Sequence, residues 1–330
     1  MKKSICLLLL AALLSAVFSC TSCAEGANGI QTGDILWYGV WNEQPVSWTV
    51  LDADAMNSGE PGMFLFAQYV IQPSGVVFHD YSALWEGSYA QDWCETFWDG
   101  AFTEAEKTAI PATFTTSEEG ILNYFGLFWR PANLTGEHVF LISAEEMSRY
   151  VGEDDGAEGL TGHTPEGKPA YYWLRSPHGY HPDYSGLVID GNQIHDSLVY
   201  KEWGGRPAMN LDPEKLVYAV PMEDGTWKTA AEDPEMFFSV TAESSDDSGK
   251  TVQYTSSVGG ADVDVVLLVT DRKGNLTGVR SLGQAEAEGT VHVDTAAENY
   301  PEGAGISLAV RKNAGDRYTD SISARVEIQR

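Results

Sequence analysis

The pattern of apolar and polar positions reads as strand runs over 30–71, within 171–211 and again from 237, and it turns helical in three places between 88 and 152. Within residues 30–52 the β-rich runs ILWYGVW and PVSWTVLD flank Asn42-Glu43-Gln44-Pro45, which predicts a hairpin. MFLFAQYVI at 63–71 predicts a third strand, ended by Pro73-Ser74-Gly75. Each helix starts at a capping signal, a Ser or Thr followed three residues later by an acid or amide. Ser88 with Gln91 opens the first, which carries Ala90, Trp93, Cys94 and Phe97 at helical spacing. Thr103 with Glu106 opens a second that must stop near Ile110-Pro111. Ser143 with Glu146 opens a third after the strand HVFLI and ends near Gly152. Glu104, Glu106, Glu145 and Glu146 fall in first turns, where they complement the helix dipole, so capping accounts for them without catalysis. Trp37, Trp41 and Trp48 read as core or edge packing.

Residues 152–170 have no apolar period and are rich in Gly and acid, so they read as a surface loop. Asp154, Asp155 and Glu158 offer oxygens to a hard cation there, but their spacing lacks the final glutamate of a calcium loop. Residues 171–211 then combine aromatic-apolar strands with a polar loop. Residues 213–236, with Pro213, Pro221 and Pro234, read as a linker that adds at most one strand at 217–220. From Phe237 onward come seven short strand patterns: FFSVTAE, TVQYTSS, DVDVVLLVT, LTGVRSL, TVHVD, GISLAVRK and SISARVEIQ. Their spacing predicts an immunoglobulin-like or fibronectin-III-like sandwich over 237–330. In its last strand, Ile322, Ala324, Val326 and Ile328 are expected to face inward.

Residues 1–24, with Lys2 and Lys3 ahead of the apolar run Ile5 to Phe18, have the form of an export signal and are too short for a stable membrane span. Two processing routes fit: cleavage after Ala24, or lipidation of Cys20, which would tether the protein to the outer face of a membrane. The expected location is therefore secreted or extracellular, with a lipid anchor as the one expected route to a membrane. Cleavage after Ala24 removes Cys6, Cys20 and Cys23 and leaves Cys94, read as a buried inert thiol. The net charge of −28 disfavours nucleic acid and anionic membrane surfaces as partners.

Several residues between 171 and 211 are candidates for chemistry or contact. Trp173, Arg175 and Arg206 stand in apolar strand patterns, where a planar guanidinium fork usually anchors a carboxylate or backbone carbonyls, so a structural role is expected of them. Asp190 reads as a turn residue rather than their partner. Trp203, beside Gly204-Gly205, together with Tyr180 and Tyr184, is a candidate for ligand contact.

These motifs also carry a resemblance. GDILWYGVW, PVSWTVLDAD, WEGSYAQDWCETFWDGAFTEAEKTAI, HVFLISAEEM, YYWLRSP and GGRPAMNL follow one another in an order that resembles the domain of unknown function 6273, common in exported proteins of gut Firmicutes, over residues 30–211. Ala90-Gln91 departs from that pattern, since the family more often has an Arg before the Trp. More distantly, the Trp-Leu-Arg strand and the closing Arg-bearing strand are similar to C-type-lectin-like folds, including the formylglycine-generating branch. That similarity implies an α+β fold class: a small twisted sheet with two to three helices over 30–212, and a ligand face in the loops between 150 and 206.

The lectin-like resemblance also brings enzyme readings that the residues can test. Copper-dependent formylglycine-type oxidation uses two thiols, and one survives cleavage after Ala24. An iron site would need His178 and His181 joined by His163 or His195. No cofactor is expected, with a metal at His178 and His181 as the alternative. Three functions follow: a non-catalytic binding protein for an extracellular glycan or a protein or peptide ligand, a metal-dependent enzyme, or a structural subunit of a surface assembly.

Overall fold

The structure, a computed structural model, describes residues 29–57, 59–117, 119–152, 162–189, 193–246, 248–295 and 300–329. The expected export signal with Cys20, the acidic loop residues Asp154, Asp155 and Glu158, and Asp190 lie outside the described residues.

In chain order the first part contains β1 (Ile35–Trp41), β2 (Gln44–Asn57), β3 (Glu60–Ala67), β4 (Gln72–Val77), α1 (Tyr89–Ala101), α2 (Glu104–Lys107), β5 (Thr113–Phe114), β6 (Leu122–Tyr124), β7 (Leu127–Trp129), β8 (Thr135–Glu137), β9 (Val139–Leu141), α3 (Ala144–Tyr150), β10 (Tyr172–Pro177), β11 (Tyr184–Ile189), β12 (Gln193–Leu198), β13 (Glu202–Gly205) and β14 (Pro207–Leu211). The remainder contains β15 (Leu216–Pro221), β16 (Trp227–Glu232), β17 (Phe238–Asp246), β18 (Gly249–Ser256), β19 (Val263–Thr270), β20 (Leu276–Gln284), β21 (Glu288–Val293), β22 (Gly305–Lys312), β23 (Asp320–Ile322) and β24 (Val326–Glu327).

The hairpin and capping signals act close to where they were read, whereas the third strand stops at Ala67 and Pro73-Ser74-Gly75, read as its end, lies inside β4. Asn42 and Glu43 both take positive φ (49° and 64°), the backbone of a two-residue hairpin turn, and set Trp41 opposite Gln44. Thr103 with Glu106 and Ser143 with Glu146 form complete capping boxes. Ser88 accepts the amide of Gln91, but the Gln91 side chain accepts from Gly87 instead of reaching back to Ser88.

The expected α+β, C-type-lectin-like domain followed by a separate immunoglobulin-like sandwich is not what the chain builds. Strand takes 51 % of the structure and helix 10 %, and the fold is β-rich and sandwich-like. The reason lies in residues 213–236. They are not a bare linker: β15 and β16 form a hairpin there, and β16 runs parallel both to β1, with Leu36 beside Trp227, and to β23, with Ala230 beside Asp320. One 12-stranded sheet therefore runs from β20 through β19, β22, β23 and β16 to β1, β2, β3, β14 and β9, with β15 paired to β16 and β24 to β22 off that path. The prolines that suggested a linker sit at the edges of elements, with Pro213 opening a short 3-10 turn and Pro221 ending β15.

Burial on both faces explains why the middle of β19, VVLLV at 265–269, reads as a continuous apolar run rather than an alternation. Val263, Val265 and Leu267 pack toward the three-stranded sheet β17-β18-β21, while Val266 and Leu268 pack with Val217, Tyr218 and Ile322 on the other side. The expected inward row of the last strand breaks in the middle. Ser323 is buried and exchanges hydrogen bonds with Val310, Ala324 is exposed, and the chain resumes pairing as β24.

At the seam between β16, β22 and β23 lies a buried charge network. Asp320, fully buried, accepts from the Tyr218 hydroxyl at 2.5 Å and pairs with Lys228 at 3.0 Å, while Arg311 pairs with Asp264 at 2.6 Å. Burial first, and then the Asp320 charge, pushes the Tyr218 hydroxyl far above its ordinary range. An open cleft of about 600 Å³ adjoins this network and is lined by Asp262, Asp264, Ser281, Gln284 and Asn313, with Asp264 and Asn313 already bonded to Arg311 and Lys228.

The first part's core is aromatic. Phe97 of α1 packs against Trp41, Trp48 and Phe102, and Gly205 leaves room for Trp93, whose ring lies 2.5 Å from where a Cβ would stand. A second sheet, β12-β11-β10-β13-β4, completes the layers and carries the loops described next.

Candidate functional site

Four connecting segments are laced together around the second sheet. They are residues 78–88 between β4 and α1, the β6–β7 hairpin, residues 178–183 between β10 and β11, and residues 199–201 between β12 and β13. The amides of Phe78 and His79 donate to the Val199 carbonyl at 3.0 and 3.1 Å, and the Val199 amide donates to the Asp183 carbonyl at 3.0 Å. The Ala83 amide donates to the Pro182 carbonyl at 2.8 Å, and that of Gly179 to the Phe128 carbonyl at 2.7 Å. Arg130 closes the set with Nε on the Gly179 carbonyl at 3.0 Å.

These segments display large apolar side chains that the core does not take up. Tyr81 is 74 % exposed, Tyr180 60 %, Leu84 60 % and Tyr200 52 %, and Ile121, Phe128 and Tyr89 are exposed beside them. Apolar side chains exposed singly need no explanation, whereas several on loops tied to one another make a candidate contact surface. Phe128 and Tyr180 meet edge-on with ring centroids 5.4 Å apart. A Cβ at Gly179 would stand 2.9 Å from Ile121, so this position must stay small for the hairpin to lie against the 178–183 loop.

Beneath the loops, Trp173, Arg175 and Arg206 are buried and held by hydrogen bonds. Trp173 is buried and donates from its indole nitrogen to the Val76 carbonyl at 2.8 Å. Arg175 is buried, forks onto Glu146 with two 2.5 Å bonds, and donates to the carbonyls of Ala132 and Leu141. Arg206 donates to the Ala67 carbonyl at 2.8 Å and lies 4.0 Å over the Phe66 ring. Among the described residues, both guanidiniums bond to the protein's own carbonyls and side chains.

The residues singled out for ligand contact separate in space. Tyr180 stands out from the loop face. Tyr184 is half-buried at its base, with its ring 5.5 Å from that of His181. Trp203 is half-buried, donates to Ser197 Oγ at 2.9 Å and packs on Tyr171. Among the described residues no ring contact joins Trp203 to Tyr180. Phe128 was not legible as a neighbour of Tyr180, nor Tyr81 and Tyr200 as exposed residues of loops bonded to its own, since they come from three other segments. One local signal was available: His-x-Tyr occurs at 79–81 and again at 178–180.

The histidines are spread rather than gathered. The rings of His178 and His181 lie 4.8 Å apart, but Nδ1 of His178 accepts the amides of Tyr180 and His181, both at 3.2 Å. His163 forms a bridge to Pro169, and His195 lies against Gln193. Among the described residues no three His, Cys, Asp or Glu side chains come together as a set that could hold a metal ion. Cys94 is buried and unpaired, and burial raises its thiol well above the usual range. Among the described residues no helix is long and apolar enough to cross a membrane.

Residues 62–213 match the family described as a domain of unknown function (DUF6273), a span from within β3 to just past β14 that holds the whole loop face. No curated protein matches the chain. A solved structure, that of a beta-D-glucuronidase of Dictyoglomus thermophilum, is similar to it at 13 % identity and a TM-score of 0.18, over 43 % of this chain and 29 % of that one. The match thus spans less than a third of that structure's length, and a score so low supports no common fold.

Proposed function

We propose that the chain is an exported, non-catalytic binding protein whose laced loop face takes an extracellular ligand, with a neutral glycan as the first choice. The observation that carries this reading is the exposure of Tyr81, Tyr180, Tyr200 and Phe128 on four segments that are hydrogen-bonded to one another. Exposed tyrosines present a flat apolar body with a polar tip, which suits the alternating apolar faces and hydroxyl edges of sugar rings. Asp80 and the exposed His181 on the same loops add polar groups that can meet hydroxyls. The charge of −28 favours neutral or cationic ligands over anionic ones. The amino-terminal sequence pattern supports export.

The test is titration calorimetry of the purified chain against neutral oligosaccharides of glucose, galactose and mannose. Binding to one of them should disappear in a Tyr81→Ala/Tyr180→Ala variant that keeps the wild-type unfolding midpoint. Equal binding by the variant would remove the loop face from the reading. Binding of peptides but of no oligosaccharide would replace glycan with peptide.

A further inference from the structure

Two turns on the loop face share one construction. In His79-Asp80-Tyr81 the Tyr81 amide donates to Nδ1 of His79 at 3.2 Å, and in His178-Gly179-Tyr180 the Tyr180 amide donates to Nδ1 of His178 at 3.2 Å. Each imidazole also meets the ring of its own tyrosine edge-on, with centroids 4.7 Å apart at 76° in the first turn and 6.2 Å apart at 61° in the second. The two tyrosines held this way are the most exposed aromatic residues of the face.

Each imidazole is fixed on its other side as well. His79 lies parallel to Tyr89, 5.2 Å away at 2°, and the Tyr89 hydroxyl donates to Asp80 at 2.6 Å. His178 meets Trp129 edge-on at 6.1 Å, donates its own amide to the Tyr184 carbonyl, and accepts the His181 amide. A side chain that accepts the amide two residues ahead closes a local turn and sets the direction of the next side chain, as Asx turns do.

We propose that His79 and His178 are positioning residues, imidazole turn acceptors that hold Tyr81 and Tyr180 as a preset pair of contact rings. The inference rests on the reading of this face as the binding face. Its physical gain is preorganisation, because rings already fixed cost less ordering when a ligand arrives.

Asparagine decides the matter, since its side-chain oxygen stands where Nδ1 of histidine stands, whereas alanine offers no acceptor. Amide hydrogen exchange is measured at Tyr81 and Tyr180 in the full chain, free of ligand, for the wild type, His79→Ala/His178→Ala and His79→Asn/His178→Asn. Exchange should run roughly three- to tenfold faster in the alanine form and return toward wild type in the asparagine form, as expected for loss and recovery of one hydrogen bond. His79→Ala alone, at a half-exposed position, serves if the double alanine form does not fold. Equal exchange in all forms, or fast exchange in the asparagine form, overturns the positioning role. The same forms are titrated with the neutral oligosaccharides. Affinity falling in the alanine form and recovering with asparagine supports the inference, while the expected exchange pattern with no oligosaccharide bound by any form leaves the turns standing and overturns the binding reading.

Discussion

Arg175 holds Glu146 through two parallel bonds of 2.5 Å, and the same carboxylate receives the Ser143 amide that begins α3. A helix cap and a buried strand are thereby one device. The glutamate completes the capping box and neutralises a guanidinium that also holds the carbonyls of Ala132 and Leu141. Breaking a buried pair by removing one partner costs about 3–5 kcal/mol, because the other charge stays in place unpaired. Arg175→Met should lower stability by that order in urea unfolding. Arg175→Lys should also destabilise, since an ammonium keeps the charge but cannot make the parallel pair of bonds.

Acid should loosen the loop face through His178. Burial holds its imidazole below the ordinary value, with His181 acting in the same direction and Asp196 opposing. In the unfolded chain a histidine takes its proton near pH 6.5. Below that pH the unfolded state binds more protons than the folded one, so stability rises with pH. The contribution is complete above about pH 6.5 and is lost as pH falls toward the depressed folded value. Urea midpoints measured downward from neutral pH should fall more steeply for the wild type than for His178→Asn, and parallel curves would contradict this.

The seam between the two halves should make unfolding a single event. Asp320 is fully buried and receives Tyr218, Lys228 and the Ala314 amide, and Lys228 lies on the strand between β1 and β23. Asp320→Ala should cost about 3–5 kcal/mol for the uncompensated charges it leaves. Coincident unfolding curves are expected from tryptophan fluorescence, whose probes lie mainly before residue 213, and from far-ultraviolet circular dichroism, which reports both halves. Two separated transitions would show that the halves unfold apart.

Cys94 should resist thiol reagents in the native protein and react fully in denaturant. It is buried in the first core and its thiol is raised by burial, so little thiolate forms near neutral pH. A colorimetric thiol assay with and without denaturant checks this.

Legibility in the sequence followed the range of each interaction. Ser143 and Glu146 are three residues apart, so the cap was readable, but the guanidinium that completes it comes 29 residues later. The hairpin was readable for the same local reason, though its turn is Asn42-Glu43 alone, since Gln44 and Pro45, read with it, already pair in β2. Residues 216–232 misled because their prolines sit at strand edges, while their pairing partners β1 and β23 lie in distant parts of the chain. The run DVDVVLLVT was readable as a strand, but not that the two faces of β19 are covered by different layers. In the candidate site, Tyr180 was legible beside its Gly and His neighbours, whereas the loops of Tyr81, Tyr200 and Phe128 reach its loop only through long-range hydrogen bonds. Trp203, half-buried, donates to Ser197 and meets Tyr171, contacts that no local pattern announced.

The position of β16 also sets an order of assembly. The indole of Trp37 donates to Thr226 across 189 residues, and β23 must arrive a further ninety or so residues on before the strand is flanked on both sides. Closing such long loops comes before the contacts that reward it, which slows folding. As the chain emerges, β1 and β2 pair at once, but the outer edge of β1 waits for residue 227. Until then that edge is an open template for any other strand, so a helper that shields unpaired edges has its longest task at the beginning of this chain rather than at its end.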